Sequence, residues 1–165
     1  YQFPEKLIPL MVINAISGKS LPIYGDGLNI RDWLHVEDHC DAIYNVFENG
    51  SLGETYLVGG EEEVTNLRVV ESICSILDEI QPTESGKSYC EQITYVTDRP
   101  GHDLRYSLDC TKIGALGWQP RFSFDEMMDL TVRWYQENEF WWRAIKEEDS
   151  YKSYYKKQYE ERSAQ

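Results

Sequence analysis

One stretch of the sequence resembles a strand that is covered on both faces, and it limits the folds open to the chain. Residues 54–60, ETYLVGG, form a short apolar run that is typical of a buried parallel strand. One such strand is not a sheet, because its backbone donors and acceptors need neighbours. The alternation of helical and extended segments around it favours an α/β fold. We therefore expect this strand to pair with another part of a longer molecule, which a first residue of Tyr1 rather than Met also indicates.

Apolar residues at helical spacing predict the α elements. The predicted helices run from Leu7 to before Gly18, from 36 to 49, from 66 to 80, briefly between Asp109 and Gly117, and from Phe124 to about Trp142, with a marginal one over 151–159. Ser123 and Glu126 form a capping box before the long last helix. The predicted inner stripe of the second helix is Val36, Cys40, Ile43, Val46 and Phe47. Shorter strands are predicted within 21–24, 29–36, 91–96 and 104–109.

Charge and cysteine usage exclude several classes of partner. The formal net charge is −13, with 16 basic and 29 acidic residues, which argues against nucleic-acid binding because that requires a basic face. No run approaches the length of a membrane span, and we expect neither a membrane nor a nucleic-acid partner. The cysteines at 40, 74, 90 and 110 lack CxxC spacing. Cys40 and Cys74 lie in apolar helical patterns, which predicts buried free thiols, no metal site and a reducing cytoplasm rather than a disulfide framework.

Several motifs together resemble one enzyme family. They are YQFPEKLIPL (1–10), LPIYGDGLNIRDWLHVEDH (21–39), GETYLVGG (53–60), TNLRVVESIC (65–74) and DRPGHDLRYSLD (98–109). The chain is similar, over nearly its whole length, to the C-terminal half of the dTDP-glucose 4,6-dehydratases, which belong to the extended short-chain dehydrogenase/reductase superfamily. The resemblance implies that residues 1–165 are a substrate-binding region and that residues 35–60 pack on the Rossmann sheet of an absent N-terminal NAD-binding domain.

The resemblance also implies an activity and a set of contacts. The intact enzyme would be a homodimeric lyase that converts dTDP-glucose to dTDP-4-keto-6-deoxyglucose with tightly held NAD. Lys6 and Leu7 would touch the nucleotide. Pro22, Ile23 and Tyr24 would line the thymine. The remaining contacts, to the diphosphate or sugar, would come from Arg31 and Asn66 and from a loop at 98–102 that includes Asp98, Arg99 and His102.

The residues support this interpretation physically but leave alternatives open. Tyr24 beside a Gly-Asp-Gly turn is placed to stack on a base, yet it is equally an ordinary strand tyrosine. Arg31 can fork onto phosphate oxygens or form an ion pair with Asp32 or Glu37. Asn66 can offer donors at a helix N-terminus or, by preference, cap that helix, as Thr65 also can.

The loop DRPGH (98–102) has two interpretations as well. Without the resemblance it is a solvated turn whose charges neutralise one another. With the resemblance, Pro100 and Gly101 fix the turn so that the cations of Arg99 and His102 converge on a ligand.

The sequence offers no candidate catalytic or cofactor-binding residues. No Tyr is followed four positions later by Lys, and Ile30 occupies the third glycine position after Gly25 and Gly27. We therefore expect the 165 residues alone to be inactive, with NAD bound elsewhere in the intact enzyme. Two alternatives remain: the substrate half of another nucleotide-sugar epimerase or decarboxylase, and a non-catalytic acidic interaction module.

Overall fold

The computed structural model describes residues 2–148 and 151–153. Within these residues the chain is an α/β structure of helices around short strands. In chain order the elements are α1 (Leu7–Ile16), β1 (Leu21–Tyr24), β2 (Ile30–Asp32), α2 (Val36–Asn49), β3 (Glu63–Thr65), α3 (Asn66–Ile80), a 3-10 turn (Tyr89–Gln92), β4 (Ile93–Val96), α4 (Thr111–Gly114), α5 (Phe124–Glu137) and α6 (Glu139–Glu147). Most of the helix predicted over 151–159 lies outside the described residues.

The strands form two small sheets. β1 pairs with β4 in parallel, with Leu21 opposite Ile93 and Tyr24 opposite Val96. β2 pairs with β3 antiparallel, with Ile30 opposite Thr65. Both pairings join segments that are distant in sequence, so the sheets connect the N-terminal third of the chain to its middle.

The main core lies between three helices and the parallel pair. α1, α3 and α5 supply most of its buried side chains, and β1 adds Leu21 and Ile23. On α3, Val69, Val70, Ile73, Cys74 and Leu77 have no solvent-exposed surface, in agreement with the apolar spacing that predicted a helix over 66–80. Each large apolar side chain buried there contributes about 1.5–3 kcal/mol to folding. This packing sets the position of the N-terminus of α3 relative to β1.

The N-termini of α3 and α5 have side-chain caps. Ser123 and Glu126 form the predicted capping box of α5. Thr65 caps α3, since its hydroxyl accepts a hydrogen bond from the backbone N–H of Arg68 at 3.2 Å. The single helix predicted to reach Trp142 is wrong, because the chain breaks at Asn138, whose side-chain amide donates to the carbonyl of Trp134 at 2.8 Å. Such side-chain hydrogen bonds compete with helix continuation.

Most of the apolar stripe predicted to face inward on α2 lies instead at the surface, and of its five residues only Val46 packs against a buried cluster, that of Ala42, Cys110, Ile113 and Trp118. Val36, Ile43 and Phe47 are 64%, 56% and 81% exposed, and the Cys40 side chain is also exposed. The prediction of a buried thiol therefore holds for Cys74 and is wrong for Cys40. The reason is that no element of the described chain covers this face. The buried positions of α2 are Asp38 and Ala42.

Two predicted strands do not form. Residues 54–60 have no strand partner among the described residues; their contacts include a hydrogen bond from the Gly59 N–H to the Cys110 sulfur at 3.1 Å. Residues 104–109 contribute one isolated bridge, between Ile30 and Arg105. A strand needs a neighbour along its length, and local sequence does not reveal whether one is present. The described helices include none long and apolar enough to cross a membrane.

Candidate functional site

The carboxyl ends of β1 and β4 bring the Tyr24 turn and the 98–102 loop together. Because the two strands run in parallel, the segments that follow them leave from the same edge. The N–H of Gly25 donates to the carbonyl of Val96 at 2.9 Å. A Cβ atom on Gly25 would lie 3.3 Å from the Cβ of Asp98, so glycine permits this close approach. The loop after β4 is therefore packed against the turn after β1.

His102 links the loop to Tyr24. Its Nδ1 lies 2.7 Å from the Asp98 carboxylate, and its side chain is only 5% exposed although the surrounding loop is at the surface. Its ring meets that of Tyr24 edge to face, with centroids 6.3 Å apart. The hydrogen bond with His102 lowers the pKa of Asp98, against the opposing effect of burial. Asp98 thus stays ionised and holds the imidazole in place.

Arg31 is held by backbone oxygens and an aromatic ring. Its guanidinium donates to the carbonyl of Ile30 at 2.6 Å and to that of Asp103 at 3.0 Å. Its central carbon lies 4.2 Å from the centre of the Tyr106 ring. No described carboxylate pairs with it, so the alternative ion pair with Asp32 or Glu37 is wrong. The positive charge of Arg31 is therefore not neutralised within the described chain.

Asn66 does not cap α3, because Thr65 does, and the expectation that Asn66 would cap is wrong. As the first residue of the helix, Asn66 donates its backbone N–H to the carbonyl of Asn29 at 2.9 Å. The side-chain amide of Asn29 in turn donates to the carbonyl of Asp103 at 3.2 Å. The same carbonyl accepts from Arg31, so Asn66 and Arg31 are linked through Asn29 and the main-chain oxygen of Asp103.

Gly27 allows the N-terminus of α3 to approach the turn. A Cβ atom at Gly27 would lie 2.7 Å from Cγ2 of Ile23 and 2.9 Å from Cβ of Leu67. The N–H of Leu67 donates to the carbonyl of Gly27 at 3.0 Å. The backbone of Gly27 has φ +74°, which favours glycine. Any larger residue would push the helix N-terminus away from β1.

The structure connects some predicted residues and separates others. Tyr24, Asp98 and His102 form one network of ring contacts and hydrogen bonds, and the backbone N–H of Arg99 joins it through Asp98 at 2.8 Å. Arg31 and Asn66 belong to a second network, which is centred on the carbonyl of Asp103. The two networks adjoin at the peptide bond between His102 and Asp103, so the five residues form one set. We call this set the Tyr24 cluster. The side chain of Arg99 is exposed.

The other predicted contact residues lie differently. Lys6 pairs with Glu5 at 2.9 Å at the start of α1, and Leu7 packs on the main core. On β1 the side chain of Ile23 is 1% exposed in that core, whereas Pro22 and Tyr24 are half-buried on the opposite face. A ligand at this strand would meet Pro22 and Tyr24 by their side chains and Ile23 only by its backbone.

Sequence analysis did not identify three residues of the network around Arg31: Asn29, Asp103 and Tyr106. The hydroxyl of Tyr106 donates to the Asp103 carboxylate at 2.5 Å, and this bond raises the pKa of the tyrosine. Residues 104–109 resembled an ordinary strand, so Tyr106 carried no distinguishing signal. Its contact with Arg31 joins positions far apart in sequence, which no local pattern reveals.

A separate depression of about 240 Å³ lies away from the Tyr24 cluster, between α4 and the segment that follows it. Glu61, Asp109 and Trp118 are among its lining residues. Within residues 2–148 and 151–153, no three His, Cys, Asp or Glu side chains are grouped to hold a metal ion.

NAD does not fit the residues seen here. The Gly25–Gly27 turn joins β1 to β2, whereas a dinucleotide cradle joins a strand to a helix that points at the pyrophosphate. We therefore assign the Tyr24 cluster no role in holding that cofactor.

Comparison with solved structures defines the class of fold. The structure resembles dTDP-glucose 4,6-dehydratases from Bacillus anthracis, solved with NAD (TM-score 0.77, 49% identity), and from Streptomyces venezuelae, solved with NAD and a dTDP ligand (TM-score 0.76, 45% identity). Each match covers 88% of this chain, and 43% and 42% of those chains. The UDP-glucose 4-epimerase of Thermotoga maritima matches with TM-score 0.67 at 26% identity, over 80% of this chain and 40% of the epimerase. The fold is thus that of a portion of the extended short-chain dehydrogenases/reductases.

Sequence comparison defines the family. The family model described as GDP-mannose 4,6 dehydratase matches residues 1–131, so the chain belongs to that family. The chain is 55% identical over 163 residues to dTDP-glucose 4,6-dehydratase 1 of Escherichia coli K12, which is 98% of this chain and 44% of that protein. It is 56% identical over 138 residues to the Haemophilus influenzae dTDP-glucose 4,6-dehydratase, 82% of this chain and 41% of that protein. The chain thus spans less than half the length of these relatives and matches their C-terminal portion.

Proposed function

We propose that this chain is the substrate-binding part of a dTDP-glucose 4,6-dehydratase, a lyase that converts dTDP-glucose to dTDP-4-keto-6-deoxyglucose. The observation that carries the proposal is the Tyr24 cluster, in which a buried His102 lies against the Tyr24 ring and Arg31, which has no ion-pair partner among the described residues, belongs to the adjoining network. A nucleoside diphosphate presents a flat base and two phosphates, which require a ring and fixed cationic donors. The high identity to relatives of that name supports the same assignment.

Each residue has a definite role in this proposal. Arg31 and the side-chain amide of Asn66 bind the diphosphate, because guanidinium and amide N–H groups both donate hydrogen bonds to phosphate oxygens. Tyr24, with Pro22 beside it, offers an aromatic platform to thymine, a contact worth about 1–3 kcal/mol. His102 and Arg99 reach the diphosphate or sugar from the 98–102 loop, and Asp98 orients His102. Lys6 and Leu7 contact the nucleotide from the start of α1, outside the Tyr24 cluster.

The chemical step requires a further, NAD-binding domain. NAD, held by residues outside the described chain, would supply the hydride chemistry of the reaction. We propose that an NAD-binding domain supplies this cofactor, that residues 35–60 pack on it, and that the complete enzyme is a homodimer in a reducing cytoplasm. The exposed apolar side chains of α2, above all Phe47 at 81%, support a partner for this segment.

Calorimetric titration of the chain with dTDP and UDP tests the proposal. We expect dTDP to bind more tightly than UDP, and Arg31→Ala to weaken dTDP binding by about 10- to 100-fold, since hydrogen bonds from a charged group contribute about 1.5–3 kcal/mol. Arg143→Ala is the matched control, because Arg143 is exposed on α6 and pairs with Glu139. The chain alone should release no 4-keto sugar.

A second function has one observation in its favour, the likeness to the UDP-glucose 4-epimerase fold. If UDP binds more tightly than dTDP, the chain is part of such an epimerase or of a related decarboxylase, and the assignment to a dehydratase is wrong. Absence of binding to either nucleotide would overturn both and leave a non-catalytic interaction module.

A further inference from the structure

Tyr106 is a large aromatic side chain that the fold does not bury. It is 51% exposed, so its ring contributes little to either apolar core. Even so, it is anchored at two points: its hydroxyl donates to Asp103 at 2.5 Å, and its backbone N–H donates to the carbonyl of Ile30 at 3.2 Å. An exposed ring held this firmly is suited to support another group.

The supported group is Arg31. The central carbon of its guanidinium lies 4.2 Å from the centre of the Tyr106 ring. The Nη2 of the same guanidinium donates to the main-chain oxygen of Asp103. Asp103 therefore fixes both partners, the tyrosine by its carboxylate and the arginine by its main-chain oxygen. A free arginine side chain samples many rotamers, and ordering it on ligand binding lowers affinity. Stacking on a fixed ring removes part of that cost in advance.

We propose that Tyr106 is a positioning residue that presents Arg31 to the diphosphate of the bound nucleotide. Tyr106 acts through the arginine and does not itself need to touch the ligand. This inference rests on the function proposed above and extends it, because it assigns part of the diphosphate affinity to a residue outside the expected contact set. The remaining N–H groups of the guanidinium stay available for phosphate oxygens.

A double-mutant cycle tests the proposal, with dTDP affinity measured by calorimetry and folding by thermal melting. Tyr106→Leu should weaken dTDP binding by about two- to fivefold, the range expected for an exposed cation–π contact. Tyr106→Phe keeps the ring but loses its hydrogen bond to Asp103, so it should weaken dTDP binding less than Tyr106→Leu does. In an Arg31→Ala background Tyr106→Leu should have no further effect. Tyr95→Leu is the matched control, since Tyr95 is 61% exposed on β4 and outside the cluster.

The outcomes separate the two proposals. If the unmodified chain binds dTDP and Tyr106→Leu leaves its affinity unchanged, or weakens it equally with and without Arg31, the positioning role is wrong and the proposed function stands. A melting temperature lowered in step with affinity for both Tyr106→Leu and Tyr106→Phe would also overturn it, because the residue would then be structural. If the unmodified chain binds no dTDP, the proposed function fails, and this inference fails with it.

Discussion

Replacing Gly27 with alanine should destabilise the chain more than the same change at another glycine of similar backbone. The new Cβ would lie 2.7 Å from Ile23 and 2.9 Å from Leu67, and the second of these is a Cβ atom that cannot move without its backbone. The positive φ costs about 1–2 kcal/mol for a residue with a side chain. Overpacking adds about 1–3 kcal/mol, so the total loss is about 2–5 kcal/mol.

Gly18→Ala provides the control for this prediction. Gly18 has a similar φ of +67°, but a Cβ there would meet nothing within 4 Å. Only the backbone cost of about 1–2 kcal/mol should appear. In urea, monitored by far-ultraviolet circular dichroism, an m value of about 2 kcal/mol/M places the midpoint of Gly27→Ala about 0.5–1.5 M below that of Gly18→Ala. Equal midpoints would refute the steric reasoning and show that only the backbone conformation matters at Gly27.

Three further perturbations test other features. Because the pKa of Asp98 is lowered in the folded chain, its contribution is present above about pH 3.9 and is lost below it; the difference in melting temperature between Asp98→Asn and the unmodified chain should therefore shrink as the pH falls. Asp38→Ala should lower the free energy of unfolding in urea by about 2–4 kcal/mol, since the buried carboxylate accepts from the N–H groups of Arg121 and Phe122. Asp41 is an exposed partner of Arg121, so Asp41→Ala should cost about 0–1 kcal/mol. Similar losses of unfolding free energy for the two variants would contradict this. Phe47→Glu should leave the melting temperature of the chain unchanged yet prevent association with an added NAD-binding domain, as measured by sedimentation; a large drop in melting temperature would place Phe47 in the fold's own core.

Helices were predictable from the sequence where their stabilising contacts are local. The buried stripe of α3 and the capping box of α5 depend on residues three or four positions apart, and both appear as expected. The end of α5 was missed, since the side-chain hydrogen bond of Asn138 ends the helix within an amphipathic pattern that continues into α6.

The strands and α2 show the limit of this approach. The apolar face of α2 and the run at 54–60 were correctly recognised as apolar, but apolar character does not reveal what covers a segment. In the described chain nothing pairs with 54–60, and Phe47 faces outward. Burial depends on a neighbour, and the neighbour is not encoded in the same segment.

The candidate site was predictable in part. Tyr24, Arg31 and His102 were chosen from motifs, and the structure places Tyr24 against His102 and Arg31 in the adjoining network. Asn29 and Asp103 of that second network were not found, because their hydrogen bonds span more than seventy positions of the chain and depend on the parallel pairing of β1 with β4.

That pairing has a consequence for the order of folding. Leu21 finds its partner only when Ile93 has been synthesised, and α3 lies between them in the chain. During translation β1 therefore remains unpaired after α3 has been synthesised, and Tyr24 still lacks its contact with the imidazole of His102. A ribosome stalled before β4 emerges would hold a nascent chain in which the edge that carries Tyr24 and the 98–102 loop cannot assemble.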